Sequence, residues 1–166
     1  MSLQQINTLN DTEATATITQ CCSAQTWVQR MVAGRPYASA EELQASADRH
    51  WRGLSESDYL QAFDGHPKIG DVGSLKTKYA SSKALAEGEQ AQVSEADEQL
   101  INDLAQGNHD YLEKFGFIFI VFASGKSAQQ MLALLQARID NSRASELVNA
   151  CEQQRLIFQR RLEALL

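Results

Sequence analysis

The sequence predicts an all-α fold, a compact multi-helix bundle in which residues 1–166 form a single domain, with one buried extended segment at about 117–123. Three observations carry this. Only two prolines and nine glycines punctuate the chain, too few for the many tight turns of an all-β design. Serine and asparagine stand repeatedly just ahead of apolar residues at three- and four-residue spacing, as in a capped amphipathic helix. A single run of strand-forming residues occurs, and nothing elsewhere in the chain pairs with it.

The elements follow in order. Asn10, Asp11 and Thr12 offer caps for a helix through about Cys21. Ala24 to Ala33 carries a small apolar stripe of Trp27, Val28 and Met31, and it stops at Gly34. Arg35-Pro36-Tyr37 is an extended connection. Ser39 with Glu42 fits a capping box that opens a helix from Ala40 to about Trp51. Ser55 starts another, with Tyr59, Leu60 and Phe63 as its apolar side. A short turn or helix is expected from Leu75 to Ala80, and a polar helix from Ser81 to Val93.

The later elements are longer. Ser94 with Asp97 starts a helix to Lys114, on which Leu100, Leu104, Tyr111 and Phe115 share one arc. Asn108 falls inside that arc, where a carboxamide must find a partner, either a loop that it pins or a site. Gly116 ends this helix, and Phe117 to Ala123 reads as a strand without a partner. It is therefore expected to thread between helices, with free N–H and C=O groups available to bind something. After Ser124-Gly125-Lys126 a helix runs from Ser127 to Ile139, with Met131, Leu132, Leu135 and Ile139 inward. The last helix runs from about Ser142, with Leu147, Cys151, Phe158, Leu162 and Leu165 on one face. Arg160 points away from that face, Arg161 lies at its edge and Arg155 on its apolar side. An arginine there either snorkels or forks a buried carboxylate.

Composition narrows the function. A net charge of −6 argues against a nucleic-acid footprint, which needs clustered basic residues. No apolar run approaches the length of a membrane span, and no secretory signal is visible, so a cytoplasmic setting is expected. Cys21, Cys22 and Cys151 show no metal-ligand spacing and read as reduced and structural. No metal site, phosphate loop or nucleophile elbow is present. His50 reads as a helix-end partner and His109 as solvated. What remains is His66-Pro67-Lys68-Ile69-Gly70-Asp71. Pro67 keeps His66 out of the α region, so the imidazole sits on a stiff corner where the chain leaves a helix. Such a pair serves either as a helix terminator or as a site that titrates near neutral pH.

The HPKIG corner, Glu89-Gln90-Ala91 and the string Asn108 to Phe117 (N-H-D-Y-L-E-K-F-G-F) together resemble the OHCU decarboxylase family, where OHCU is 2-oxo-4-hydroxy-4-carboxy-5-ureidoimidazoline. The resemblance reaches Trp27 and Arg35-Pro36-Tyr37 upstream and Arg161-Leu162 downstream. It implies that His66 is catalytic and that Pro67 lines the pocket. The family's S-x-x-E-Q segment falls on Ala86, Glu87, Gly88, Glu89 and Gln90, making Glu89 the essential glutamate, with Glu87 as the alternative, and Gln90 a substrate contact. Backbone contacts map onto Phe119, Ile120, Val121, Phe122 and Ala123. The C-terminal arginine maps to Arg161, with Arg155 as the alternative. Two positions depart from the family pattern: Ala86 replaces the serine, and Ile118 replaces the proline that commonly follows K-F-G-F.

The resemblance also implies a homodimer, a small-molecule ureidoimidazoline substrate and no cofactor. Loss of CO2 leaves an electron pair that the substrate's own unsaturated ring accepts, so neither pyridoxal nor thiamine is needed. His66 would act as general acid, tuned by Glu89, while Arg161 clamps a carboxylate or carbonyl. The competing readings are a non-enzymatic helical interaction module and a cofactor-free lyase or hydrolase acting on another ureide.

Overall fold

Local capping chemistry sets where most of the helices begin. The computed structural model describes residues 1–67, 71–87 and 95–166, with side chains described outside 80–87 and 95–97. In chain order the helices are α1 (Leu3–Thr8), α2 (Asp11–Thr19), α3 (Gln25–Ala33), α4 (Ala40–Trp51), α5 (Glu56–Asp64), α6 (Val72–Glu87), α7 (Glu95–Phe115), α8 (Ala128–Ile139) and α9 (Arg143–Leu165). Among the described residues all regular secondary structure is α-helical, as predicted. Asn10, Ser39, Ser55 and Ser127 each accept from a backbone N–H of the first turn that follows. At Ser39 the box is not reciprocal, because the Glu42 carboxylate accepts from Ala38 N at 2.6 Å instead.

Two elements differ from expectation. Helix α1 was not foreseen, although Ser2 and Gln5 close a reciprocal capping box. It has six residues and buries only Ile6, so it carries no period to read. Helix α6 is one element where two were expected. It begins early because the Asp71 carboxylate accepts from Ser74 N at 2.7 Å. Residues 88–93 of the second expected helix, and the Ser94 cap, lie outside the described residues.

The chain divides into two units, Met1–His66 with Asn149–Leu166, and Pro67–Val148. The first is built around aromatic side chains. Trp27 is fully buried, lies 5.0 Å from the Phe158 ring and donates from Nε1 to Ala47 O. Trp51 meets Phe158 edge-on at 5.4 Å and donates to Cys151 O. Burying each such ring contributes on the order of 2–3 kcal/mol. On α5, Ala62 and Phe63 are buried, while Tyr59 and Leu60 are half-buried.

In the second unit Leu104, Tyr111 and Phe115 of α7 are buried as expected, joined by Ile101 and Ala105, and Leu100 is half-buried. The Asn108 amide finds one partner within its own helix, Nδ2 donating to Leu104 O at 2.8 Å. Met131 and Leu135 of α8 are buried; Leu132 and Ile139 are half-buried. Gly116 takes φ +77, a left-handed geometry that glycine adopts without strain, and the chain leaves α7 there. The run from 118 to 123 then forms neither helix nor strand. Phe117, Phe119 and Ile120 are buried, and the Tyr111 ring lies 5.1 Å from that of Phe119.

Helix α9 corrects the predicted face. Its buried residues are Glu146, Ala150, Gln154, Phe158 and Leu162, a strict four-residue repeat. Leu147, Cys151 and Leu165 are only half-buried. Hydropathy alone favours a stripe through Leu147 and Cys151, but both inward polar residues have partners that a hydropathy count cannot see.

Candidate active site

The first unit holds a cavity of about 490 Å³ whose lining includes Cys21, Ser23, Gly65, His66 and Arg161. Helix α5 delivers the histidine. The chain leaves that helix at Gly65, and His66 N donates to Phe63 O at 3.1 Å. Position 65 has no room for a side chain, since a Cβ there would fall 2.0 Å from Ser23 Oγ. That hydroxyl donates to Gln61 O at 2.9 Å, so the link between α2 and α3 lies directly on the end of α5. The half-buried imidazole is held from behind, with Nε2 2.5 Å from Gln154 Oε1.

Helix α9 delivers Arg161. Its Nη1 donates to Cys21 O at 3.1 Å and Gln20 O at 3.4 Å, just past the end of α2. Carbonyls at a helix C-terminus carry partial negative charge, so they are natural partners for a guanidinium. One nitrogen is thereby tethered, and the others are left to fork an anion. Burial holds the His66 pKa below its ordinary 6.5; the bond to Gln154 opposes this and the Arg161 charge adds to it. The ring is therefore neutral at pH 7 before an anion arrives. Burial pushes the Cys21 thiol up to about 11 against the pull of Arg161. It stays a thiol rather than a thiolate at neutral pH.

Of the site residues expected from sequence, His66 and Arg161 share this cavity. Arg155 is absent from its lining and is engaged by Asp48 at 3.2 Å and Glu152 at 2.8 Å. Pro67 is exposed. Ala86 and Glu87 fall in the last turn of α6, and Gly88, Glu89 and Gln90 lie outside the described residues. His109 is exposed, as expected. Phe119 to Ala123 belong to the second unit. Their carbonyls are less free than predicted: Arg138 Nη1 donates to Ile120 O at 2.9 Å and Lys126 Nζ to Phe122 O at 2.8 Å. Lys126 N donates to Ala123 O. Among the described residues nothing accepts from the amides of Val121 and Ala123.

Gln154 was missed by sequence reasoning. It is fully buried, and its Nε2 has no hydrogen-bond partner among the described residues. An unpaired buried amide donor costs about 1–3 kcal/mol. The available signal was its position four residues before Phe158 and eight before Leu162, a polar residue in an apolar row.

Comparison with known proteins gives the family. The model of the OHCU decarboxylase family matches residues 7–163, a range that includes residues of both units. The chain is 29% identical to the uric acid degradation bifunctional protein TTL of Arabidopsis thaliana over 87% of its own length, and spans only 45% of that protein. It is 26% identical to the 2-oxo-4-hydroxy-4-carboxy-5-ureidoimidazoline decarboxylase of Haloferax volcanii, covering 98% of this chain and 94% of that one. Among solved structures, an OHCU decarboxylase crystallised in the presence of (S)-allantoin matches with a TM-score of 0.70 and 30% identity. That match covers 89% of this chain and 94% of the other.

Proposed function

The chain belongs to the OHCU decarboxylase family, and on that premise we propose that it converts OHCU to (S)-allantoin, without a cofactor, in urate breakdown. The observation that carries this reading is the meeting of His66 and Arg161, from distant parts of the sequence, on the wall of one cavity. Arg161 orients the substrate carboxylate through the donors left free by its tether. As the bond to CO2 breaks, the electron pair passes into the unsaturated ring. The enzyme's tasks are then orientation and delivery of a proton to one face. His66 is the general acid. It is neutral in the empty cavity, and the incoming carboxylate favours its protonated form. Glu89 and Gln90 are assigned to the site by resemblance, with Pro67, Ala86, Glu87 and Gly88 beside them. The amides within Phe119 to Ala123 are assigned to the ureido group and ring in the same way.

The test generates OHCU from urate with urate oxidase and hydroxyisourate hydrolase and follows circular dichroism. Unaided decay is expected to give racemic allantoin, so a fast (S)-allantoin signal marks catalysis. Rate and enantiomer unchanged by the protein would overturn the proposal. A homodimer and a cytoplasmic setting are proposed with it, on the strength of the sequence reading. Light scattering that gives a monomer mass, or a protein that pellets with membranes, would count against them.

A further inference from the structure

We propose that Gln154 is a positioning residue that fixes His66 in the Nε2–H tautomer, leaving Nδ1 as the nitrogen that exchanges a proton with substrate. The inference rests on the reading above, in which His66 is the proton-transfer group. Its basis is geometric. Gln154 Oε1 lies 2.5 Å from His66 Nε2. A carboxamide oxygen only accepts, so with Oε1 turned to the ring the nitrogen facing it carries the proton; two lone pairs at that distance would repel. Gln154 is fully buried and absent from the cavity lining, so it acts through the imidazole and not on substrate. The titratable or charged groups lining the cavity with His66 are Arg161 and Cys21. Arg161 donates to backbone carbonyls, and no bond from either group competes for the ring.

The glutamine's other end sharpens the argument. Its Nε2 is buried without a partner among the described residues. Buried polar groups are ordinarily satisfied. This one satisfies only the end that meets His66. Being neutral, it orients the ring without the charge that would drive it to imidazolium before substrate arrives.

Nitrogen NMR of His66 in the intact wild-type protein, at a pH where the ring is neutral, should show Nε2 protonated and Nδ1 bare. Gln154→Met keeps length and removes the acceptor. It should mix the tautomers and lower kcat on the order of a hundredfold, with KM little changed and the helical signal intact. Gln154→Glu keeps the acceptor and adds charge. It should retain the tautomer and move the limb of kcat/KM to higher pH by about one to three units. A wild-type ring protonated at Nδ1 would overturn the inference. So would Gln154→Met with unchanged tautomer and kcat, or Gln154→Glu with an unmoved profile. Failure of the functional reading is distinguishable, because the wild type itself would then not turn over OHCU, whereas the tautomer is read without substrate.

Discussion

Two polar residues are buried on the same row of α9, and they have opposite surroundings. Glu146, in the Pro67–Val148 unit, is saturated. It accepts from the Tyr111 hydroxyl, from Arg138 at 2.7 Å and from Asn141 at 2.7 Å. The Arg138 guanidinium also lies 4.7 Å over the Phe119 ring and donates to Ile120 O, so the network anchors the extended segment. Burial, and then the bond to Glu146, push the Tyr111 phenol up, which keeps it a donor. Gln154, in the other unit, has one bond, to an imidazole that lines a cavity, and one orphaned donor. A completed network marks structure. The other bonds an imidazole on a cavity wall, where what it supplies is orientation.

The largest effect that would sharpen this contrast comes from His66→Asn. It should keep the fold and lower kcat by roughly 10²–10⁴-fold, the range for a positioned proton donor; near-normal turnover in the dichroism assay would dissolve the functional side of the comparison. Glu146→Ala attacks the structural side. Removing one partner of a buried ion pair should cost about 3–5 kcal/mol in denaturant melts, whereas Gln154→Met should change stability by under about 1 kcal/mol. Equal losses in the two variants would break the contrast.

Smaller effects separate the two arginines and the proton. Arg161→Gln should lower kcat/KM about 10- to 100-fold, mostly through KM, as a charge-assisted contact is lost. Arg155→Gln should stay within about threefold, because its guanidinium is occupied by Asp48 and Glu152. For the pH dependence, a general acid must be protonated. With the His66 pKa held below 6.5 chiefly by burial, kcat/KM should fall as pH rises through that lowered value. The limb in kcat should lie at higher pH, because the bound carboxylate favours imidazolium. Coincident limbs would argue that His66 does not meet the anion.

Gly65 shows how much of the site was legible. From sequence it is one more glycine ahead of a His-Pro corner, and only Ser23, folded back from the α2–α3 link, explains it. From Pro67 alone His66 reads as readily as a helix terminator, and it is the family resemblance that singles it out. Arg161 was legible only together with Arg155. The choice between them needs to know which guanidinium reaches the end of α2 and which is consumed by Asp48 of α4.

The sequence by itself determined the all-α class, most helix starts and the lone extended run, because caps, glycine stops and strand propensity act over a few residues. It also determined the family, through the strings around His66 and from Asn108 to Phe117. Tertiary structure alone decided the phase of α9 and the roles of Glu146 and Gln154. Hydropathy counts what a residue loses on leaving water, and burial of a polar group depends on the partner that awaits it. For Gln154 that partner lies 88 residues away in the chain, where no local pattern reaches.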